Sequence, residues 1–552
     1  MMAVVQISRI QHRRGRRDNL PQLASGEFGW AVDSQELFIG NGAVSEGAPA
    51  VGNTKLLTEN DDLLGLAGQY AYKRDEIQTG VSIGSPVERT LQAKLDDVVS
   101  VRDFGALGDG TDQTEKIQRA VDQLFINSAT KGLYKSRVTL HIPAGDYVVS
   151  EPIYVPPFAN IIGDGKDKTF INAGASVNAF RTVNEDSVPG TPASDSVTDA
   201  SNQPRQITIK GMTIQHSTWT DATIRLESTI NSVFEDLKFI GSWVLVDGYL
   251  SGTPIAIEMN SGSTGLSCTH NKFINCEFDG YVYPVYSDYD SEYNEFITGK
   301  VNMCGYGIAF GTFEKLNPVG TIGSPGQLTG PNHNTIQNYV FDDVYRHGIQ
   351  IENGSYNASK NNRFLAVGND GGASNSNTWS VIKYAYDGNT SEDDYFQRTQ
   401  DLSVYTSAYF FAAAYNAEIE GPITYTNKYP VTSVVRNKST ASDFIMLPID
   451  AHRGVVEVDY QYRAELAAGE VLRQGTWTIT YNQDAGQHSF DDVYTYTGDT
   501  SKSTAMSFTG SIQAGNRYLV QVENSTLDAI SPESDKFTFV VKHYTSRDLS
   551  IV

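Results

Sequence analysis

Two acid-rich stretches of the sequence hold the residues whose types and spacing could do chemistry. The first, residues 277–295, interleaves acids with tyrosines, and the second, residues 342–352, combines acids with Arg346 and His347. Hydrolysis of a glycosidic bond needs two carboxyl groups, one protonated and one ionised. Tyrosine rings stack on the C–H faces of sugars, and carboxylates accept hydrogen bonds from the hydroxyls. Both stretches are therefore candidates for a glycan site.

The second stretch supplies the predicted catalytic carboxyls, Asp342, Asp343 and Glu352. They fall on or beside strand-like runs, where the separation of two carboxyls can be held more closely than in a loop. Asp290 and Glu292 of the first stretch form a reserve pair. The predicted sugar-binding residues are its tyrosines: Tyr281, Tyr283, Tyr286, Tyr289 and Tyr293. For each single acid, a solvated surface position is the competing interpretation.

Cleavage by elimination is the alternative chemistry. It requires a base for the proton next to a uronate carboxylate and cations for the enolate-like charge. His347 and Arg346 could supply both, and His270 or His333 with Lys300 or Arg363 are further candidates. The formal net charge of −23 makes a strongly anionic polymer a less natural substrate, so the sequence favours hydrolysis. No Gly-x-Ser-x-Gly motif supports a serine nucleophile.

The composition excludes or disfavours several other classes of function. The same negative charge disfavours nonspecific binding to nucleic acid or to an anionic membrane, and no apolar run reaches the ~18 residues that span a bilayer. The three cysteines, Cys268, Cys276 and Cys304, match no disulfide framework and are expected to be buried thiols. No His/Cys cluster has the spacing of metal ligands. We therefore predict no metal and no cofactor.

Residues 101–165 indicate where the main fold begins. Gly105, Gly108 and Gly110 suit positive φ. Thr111 or Asp112 is a candidate helix cap, and an apolar face follows at helical spacing. The segments 103–114 (DFGALGDGTDQT), 142–147 (IPAGDY) and 162–165 (IGDG) together resemble the opening of the pectate-lyase-like right-handed β-helix. With residues 91–102 (LQAKLDDVVSVR) before them, they resemble bacteriophage tailspikes. In that family the segment caps the solenoid and carries no chemistry.

The N-terminal residues resemble a second known module. The pattern IQHRRG at 10–15, GEFG at 26–29 and FIG at 38–40 is similar to the short N-terminal module of phage tail-fibre receptor-binding proteins. That resemblance implies attachment to the virion. A solvated face is the competing interpretation of its arginines.

Asparagines recur along the middle of the chain with apolar residues at fixed offsets. The pattern appears at Asn271, Asn294 and Asn334, with looser echoes at Asn231 and Asn362. Such spacing predicts rungs of a parallel β-helix with insertions on one face. We expect the asparagines at turns that need left-handed backbone geometry or side-chain hydrogen bonds, and the apolar residues inside.

The predicted fold is all-β and has four parts. They are an N-terminal β module and virion-attachment module (1–60), a helical neck (61–100), a right-handed parallel β-helix (101–425) and a C-terminal antiparallel β-sandwich (426–552). The neck helices, after Asp61 and from Leu91 to Val98, are shorter than the ~12 residues that make an isolated helix stable. Packing three copies around one axis would stabilise them, so we expect a homotrimer.

Two functions follow from the resemblance and the acid clusters. In the first, the protein is a tailspike that recognises and depolymerises a bacterial surface polysaccharide, capsule or O-antigen, during host attachment. In the second, it is a receptor-binding or structural tail protein without enzymatic turnover. Both imply synthesis in the host cytoplasm and a final place in the virion tail. The expected partners are a surface glycan, tail or baseplate proteins and the chain itself.

Overall fold

The computed structural model describes most of the chain in separate ranges. These are residues 12–48, 51–58, 88–126, 138–174, 177–184, 200–216, 222–246, 249–251, 255–260, 266–287, 291–311, 331–351, 354–367, 380–384, 389–396, 409–413, 418–426, 442–449, 453–466, 469–498, 506–513, 517–524 and 536–548. The chain divides into two compact units, residues 1–98 and 99–552.

The first unit contains the predicted N-terminal β module. Its described strands are β1 (Arg13–Gly15), β2 (Phe28–Ala31), β3 (Glu36–Gly40) and β4 (Asn53–Leu56). β1 pairs parallel with β2, and β2–β3 and β3–β4 are antiparallel. The buried carboxylate of Glu36 lies 2.7 Å from the ammonium of Lys55. Helix α1 (Leu91–Leu95) lies in the predicted neck, whereas the neck helix expected after Asp61 falls outside the described residues.

The start of the second unit follows the sequence expectation closely. Strands β5 (Val98–Ser100) and β6 (Asp109–Asp112) precede helix α2 (Thr114–Val121). Asp112 accepts a hydrogen bond from the Thr114 amide at 3.0 Å, so it satisfies the first backbone amide of the helix, although Gln113 holds the N-cap position. Gly105, Gly108 and Gly110 have φ of +88°, +69° and +80°. At Gly108 a side chain is excluded for a second reason, because a Cβ there would lie 2.7 Å from the ring of Tyr147.

A parallel β-helix follows α2. Its strands are β7 (Thr139–Ile142), β8 (Gly145–Val149), β9 (Ile153–Val155), β10 (Asn160–Gly163), β11 (Thr169–Ala173), β12 (Phe180–Thr182), β13 (Thr208–His216), β14 (Ala222–Glu227), β15 (Val233–Ile240), β16 (Val244–Val246), β17 (Tyr249–Ser251), β18 (Ile255–Asn260), β19 (Cys268–Thr269), β20 (Lys272–Asp279), β21 (Tyr283–Ser287), β22 (Ser291–Glu292), β23 (Glu295–Cys304), β24 (Ile308–Phe310), β25 (Thr335–Val344), β26 (Ile349–Ile351), β27 (Ala358–Lys360), β28 (Arg363–Phe364), β29 (Ser380–Tyr384), β30 (Thr390–Glu392), β31 (Tyr395–Phe396), β32 (Tyr409–Ala413) and β33 (Glu418–Thr426).

Each rung, meaning one turn of this solenoid, contributes to two parallel sheets. The narrow sheet consists of short strands: β9, β12, β14, β18, β21, β24, β26, β29 and β32. The wide sheet contains the longer strands β13, β15, β20, β23 and β25 and the short strands that continue them at either end. Apolar side chains stack between rungs inside, as in the rings of Phe273 and Phe296, whose centroids are 4.6 Å apart. The predicted inward-facing positions are thus confirmed.

Buried asparagines connect successive rungs at one corner. From the second member onward, each side-chain Oδ1 accepts hydrogen bonds from the backbone amide and the side-chain Nδ2 of the preceding ladder asparagine, at 2.9–3.0 Å. We call this set the asparagine ladder: Asn271, Asn294, Asn334, Asn357 and Asn389. All of them are buried. Side-chain hydrogen bonding, and not left-handed geometry, therefore explains the asparagine period.

The left-handed positions lie one residue before the ladder. His270, Tyr293, His333 and Tyr356 have φ between +56° and +59°, and their rings stack outside the solenoid with centroids 4.8–5.2 Å apart. The two looser echoes of the pattern differ. Asn231 itself has a φ of +50°. Asn362 lies at another corner, between β27 and β28, where its amide donates to Asp394.

The C-terminal strands are antiparallel. They are β34 (Ser442–Pro448), β35 (Arg453–Leu466), β36 (Gly469–Asn482), β37 (Gln487–Gly498), β38 (Met506–Gln513), β39 (Arg517–Asn524) and β40 (Lys536–Asp548). β33 pairs parallel with β30 and antiparallel with β40, so the solenoid and these strands share a sheet. Trp477 on β36 contacts Phe508 on β38, with ring centroids 4.9 Å apart. Arg473 is buried against the ring of Tyr494 and pairs with Asp492.

Removing one amide from the asparagine ladder should be strongly destabilising. Asn294→Ala leaves the amide of Asn271 and the carbonyl of Cys268 without their buried partner. Each buried unsatisfied group costs about 1–3 kcal/mol, so we expect a loss of about 3 kcal/mol or more in unfolding free energy, measured by chemical denaturation. Asn302→Ala, on the half-buried outer side of β23, is the control and should change stability little. Equal stability of the two variants would contradict a supporting role for the ladder.

Asp394 should make stability depend on pH. Burial raises the pKa of its carboxyl to about 6 despite hydrogen bonds from Ser359 and Ser391. The folded protein therefore holds this proton more tightly than the unfolded chain, where aspartate titrates near ~3.9. The resulting stabilisation is complete below that lower pKa and is lost as the pH rises through about 6.

Asp394→Asn should abolish this dependence. We expect the variant to melt above the parent at pH 8 and the difference to shrink on acidification to pH 5, because an amide never takes up the charge. Asp393→Asn, at the exposed neighbouring position, serves as the control. A parent and an Asp394→Asn variant whose melting temperatures differ by the same amount at both pH values would refute the assignment.

Candidate functional site

Long connections border the narrow sheet. Among the solenoid strands that the structure describes, the four longest links are residues 183–207, 311–334, 365–379 and 397–408, and each starts or ends at a strand of this sheet. In solenoids, insertions gather on one face, which is often the binding face. Each link also joins a strand of the wide sheet, so the links alone do not choose between the two outer sides, and the side chains on them decide.

Residues on neighbouring strands form a row along the outer side of the narrow sheet. Arg181, Arg225, Glu258, Tyr286, Ala309 and Gln350 occupy matching positions on β12, β14, β18, β21, β24 and β26. The residues before and after them, such as Ile224 and Leu226, lie in the core. Because side chains alternate along a strand, the row points outward.

Glu227 and Glu258 form a buried carboxylate pair on this side. Both side chains are at most 10% exposed. The Nε of Arg225 lies 3.7 Å from the Oε2 of Glu227 and 3.8 Å from that of Glu258. Because both distances end on one nitrogen, the two oxygens can be no farther apart than their sum, about 7.5 Å. Arg181 adds a second guanidinium, 3.7 Å from Glu227, and two cations thus offset the charge of two acids.

A tyrosine cluster continues the row beyond Glu258. Tyr283 stacks on Tyr306 with centroids 4.5 Å apart and meets Tyr286 edge-on at 5.5 Å. We call these three the outer tyrosine cluster. They pack outside the wall of the solenoid, separately from its core. The guanidinium of Arg346 lies 5.3 Å from the centre of the Tyr306 ring.

The two groups are adjacent, because Glu258 and Tyr286 are paired residues on neighbouring strands. Buried carboxyls can exchange protons with a glycosidic oxygen or a water, and aromatic rings beside them can hold a sugar. The outer side of the narrow sheet thus combines the two chemistries that the sequence had suggested for separate stretches.

The predicted sugar-binding tyrosines are distributed over three environments. Tyr283 and Tyr286 lie together in the outer tyrosine cluster. Tyr281 does not line a groove as predicted: it is fully buried, and its hydroxyl lies 2.9 Å from that of Thr223. Burial also raises the pKa of its phenol. Tyr293 is exposed at the corner of the asparagine ladder, and Tyr289 falls outside the described residues.

The predicted catalytic acids that the structure describes, Asp342 and Asp343, lie elsewhere. Asp342 is on the outer side of the wide sheet, where its carboxylate lies 3.6 Å from the ammonium of Lys300. Asp343 is exposed beside it with a φ of +51°. Glu352 and the reserve acid Asp290 are outside the described residues, and Glu292 lies on β22 with Oε1 3.4 Å from the Nδ2 of Asn332. These assignments stay predictions.

Two of the elimination candidates, Arg346 and His347, lie beside the outer tyrosine cluster, whereas His270 and His333 belong to the ring stack with Tyr293. Arg346 donates to the hydroxyl of Tyr306 at 2.5 Å. His347 is only 2% exposed, with its ring 6.3 Å from that of Tyr306.

Sequence reasoning missed the carboxylate pair and its arginines. The available signal was the placement of charges within short apolar runs, Arg225 and Glu227 in the strand ATIRLE and Glu258 in IAIEMN. A charge between inward-facing residues on a strand must point outward.

Other chemistries find no support in the described part of the chain. It contains no group of three or more His, Cys, Asp or Glu side chains arranged to hold a metal ion. Cys268, Cys276 and Cys304 are buried free thiols, and burial raises the pKa of each to about 12. Among the described helices, none is long and apolar enough to cross a bilayer.

Comparison with known families agrees with this architecture. Residues 98–371 match the family model described as rhamnogalacturonase A/epimerase, pectate lyase-like. This part of the chain is a pectate-lyase-like domain. Residues 10–44 match the major tropism determinant N-terminal domain, so the chain combines that module with the pectate-lyase-like β-helix.

Individual relatives are distant. The putative phage-related protein YobO of Bacillus subtilis is 33% identical over 127 residues, which cover 22% of this chain and only 12% of that protein. ORF18 of Geobacillus virus E2 is 12% identical, with a TM-score of 0.38 over 94% of this chain and 93% of the other. The tailspike protein of Acinetobacter baumannii phage AM24 is 10% identical, with a TM-score of 0.25 over 94% and 91%.

Proposed function

We propose that the protein is a phage tailspike whose pectate-lyase-like domain binds and hydrolyses a bacterial surface polysaccharide. The observation that carries this proposal is the buried pair Glu227 and Glu258 beside the outer tyrosine cluster. Glycoside hydrolysis requires a pair of carboxyl groups beside the bond that breaks, and aromatic rings next to them can hold the sugar. No other pair of acids in the described part of the chain was found to be both buried and next to tyrosines.

The N-terminal module supports a place in the virion tail. Its match to the major tropism determinant N-terminal domain suggests attachment to tail or baseplate proteins, and the curated relative YobO is named as phage-related. In this proposal residues 1–60 anchor the protein, 61–100 form the neck, 101–425 the glycan-processing right-handed solenoid and 426–552 a β-sandwich.

A homotrimer is part of the same proposal. In a single chain, Leu95 and Val98 are 53% and 55% exposed. The predicted neck helix from Leu91 to Val98 is shorter in the structure: Leu95 ends helix α1, and Val98 begins strand β5. Packing against two further copies would cover them and stabilise the short helix α1.

The chemistry divides between the two carboxyls. One donates a proton to the glycosidic oxygen, so that the leaving sugar departs as an alcohol. The other either attacks the anomeric carbon or removes a proton from the water that attacks it. Retaining enzymes hold the carboxyls ~5–5.5 Å apart and inverting enzymes ~6.5–9.5 Å. The upper bound of about 7.5 Å on the Oε2–Oε2 separation is compatible with either outcome.

A receptor-binding protein without turnover is the second candidate. It is favoured by Arg225, which lies between the two carboxylates and could serve only to neutralise them in a rigid, hydroxyl-binding surface. Elimination is less well supported, because its candidate base His347 is only 2% exposed, and the further candidates His270 and His333 are stacked on Tyr293 and not in the outer tyrosine cluster.

Purified protein incubated with capsule and O-antigen polysaccharides from candidate hosts tests the proposal. We expect new reducing ends with one of them, and a loss of about 10²–10⁴-fold in turnover for Glu227→Gln or Glu258→Gln. Glu295→Gln, which removes an exposed charge paired with Lys272, is the matched control and should cut at the parental rate.

The same assay decides between the two sets of acids. If Asp342→Asn or Asp343→Asn abolishes cleavage while Glu227→Gln and Glu258→Gln keep it, the site lies on the wide sheet. If Glu352→Gln alone abolishes cleavage, the catalytic role belongs to that acid and not to the carboxylate pair. Binding without any cleavage would favour the receptor-binding candidate, and a product absorbing as an unsaturated uronate would indicate elimination. If the protein neither binds nor cleaves any polysaccharide of the panel, the proposal is rejected.

A further inference from the structure

Trp243 lies across the outer tyrosine cluster. It follows β15, yet its indole Nε1 donates a hydrogen bond to the carbonyl of Met303 at the end of β23. In the wide sheet these strands are separated by β20. The indole therefore extends along the axis of the solenoid and is held at its nitrogen.

Tyr345 lies beside this indole. Their ring centroids are 5.7 Å apart, and the rings are tilted by 51°. Both are only partly buried, whereas Tyr283, Tyr286 and Tyr306 beneath them are at most 4% exposed. Two partly exposed rings thus rest on a packed aromatic base. We call Trp243 and Tyr345 the outer ring pair.

This base has no role in closing the solenoid core, because it packs outside the wall as a separate cluster. What it does provide is rigidity. Rings whose positions are fixed by packing lose little conformational entropy when a ligand stacks on them. Sugars present flat C–H faces to such rings and hydroxyls to the surrounding polar groups.

Tyr345 is displaced from the carboxylate pair along the solenoid, whereas Trp243 starts on the rung of Glu258, between β15 and β18, and its indole reaches the end of β23. Glu258 lies on β18, and Tyr345 lies between β25 and β26; from β18 to β26 the narrow sheet advances by three strand spacings. Parallel strands are ~4.8 Å apart, so the displacement is about 14 Å. One sugar cannot contact both places, and a polymer that does so must run along the axis.

We infer that Trp243 and Tyr345 form a remote stacking subsite for a polysaccharide that runs along the solenoid axis. The inference rests on the proposed function and adds the path that the polysaccharide takes across the rungs. Its ligand is a hydroxyl-rich glycan several units long. Because Arg181 and Arg225 offset the charges of Glu227 and Glu258, stacking and hydroxyl contacts, rather than a strong field, hold the chain.

The path has a measurable consequence, because the affinity of the protein for the glycan should depend on the length of the glycan. The polysaccharide that the wild-type protein processes, and a size ladder made from it by partial acid hydrolysis, are the probes. We expect Trp243→Ala and Tyr345→Ala to raise KM for the polymer by about tenfold or more with kcat within about twofold, and to leave the shortest fragments unaffected. If the wild type binds without cutting, Kd replaces KM.

Two controls separate this role from general damage. Trp243→Phe keeps a ring and should retain most of the affinity. Tyr356→Ala removes a ring that is 60% exposed at the other corner, and should not change KM. A thermal melt of each variant checks folding, and Tyr345→Ala still tests the subsite if Trp243→Ala does not fold.

The outcomes also distinguish the subsite from the proposed function. If the wild type cuts or binds glycan, and Trp243→Ala and Tyr345→Ala keep the parental KM and length dependence, the subsite is wrong while the function stands. If the wild type binds nothing in the panel, the proposed function fails and the subsite fails with it.

Discussion

The asparagine ladder is the interaction on which the rest of the solenoid depends. At each of these corners the chain reverses inside the protein, so its amides and carbonyls must find partners away from water. The side chain of Asn294 provides them, bonding to Asn271 on one side and Asn334 on the other. Apolar stacking is non-directional and tolerates sliding, whereas this one-to-one bonding admits a single alignment. The ladder therefore fixes how successive rungs are placed.

The alignment of the rungs determines which side chains are neighbours on the outer side of the narrow sheet. Since neighbouring strands are in fixed register, the row from Arg225 through Glu258 to Tyr286 is straight and evenly spaced. The negative charge of the buried carboxylate pair must also be compensated. Burying two acids is costly unless cations accompany them, and the arginines on β12 and β14 lie at the matching positions. The repetitive backbone thus holds the charged side chains of the narrow sheet in place, while the connections at the edges of the sheet are free to vary.

Much of the fold could be predicted from sequence because it depends on local rules. The glycine positions near Gly108 follow from backbone sterics and are confirmed. Asp112 bonds the first amide of the helix, but it does so from the position before the N-cap, which is Gln113. The period of the asparagines indicated the rungs. The sequence does not decide whether the asparagines provide left-handed backbone geometry or side-chain hydrogen bonds. It does not show that the preceding residue, such as Tyr293, adopts the left-handed conformation.

The site was harder to predict, because it depends on which side of a strand each residue faces. A shift of one residue at a turn moves a side chain to the other face. Tyr281 and Tyr283 flank the start of β21, yet the first is in the core and the second lies outside. The carboxylate pair was missed for a related reason: Glu227 and Glu258 are 31 residues apart in sequence, and only the register between β14 and β18 brings them together.

The most direct test of the account is a crystal structure of the Glu258→Gln variant with an oligosaccharide of the bound polysaccharide. The account predicts sugar density along the outer side of the narrow sheet, beginning beside Glu227 and reaching the rings of Trp243 and Tyr345. Density on the wide sheet beside Asp342 and Lys300, with the narrow sheet bare, would contradict it.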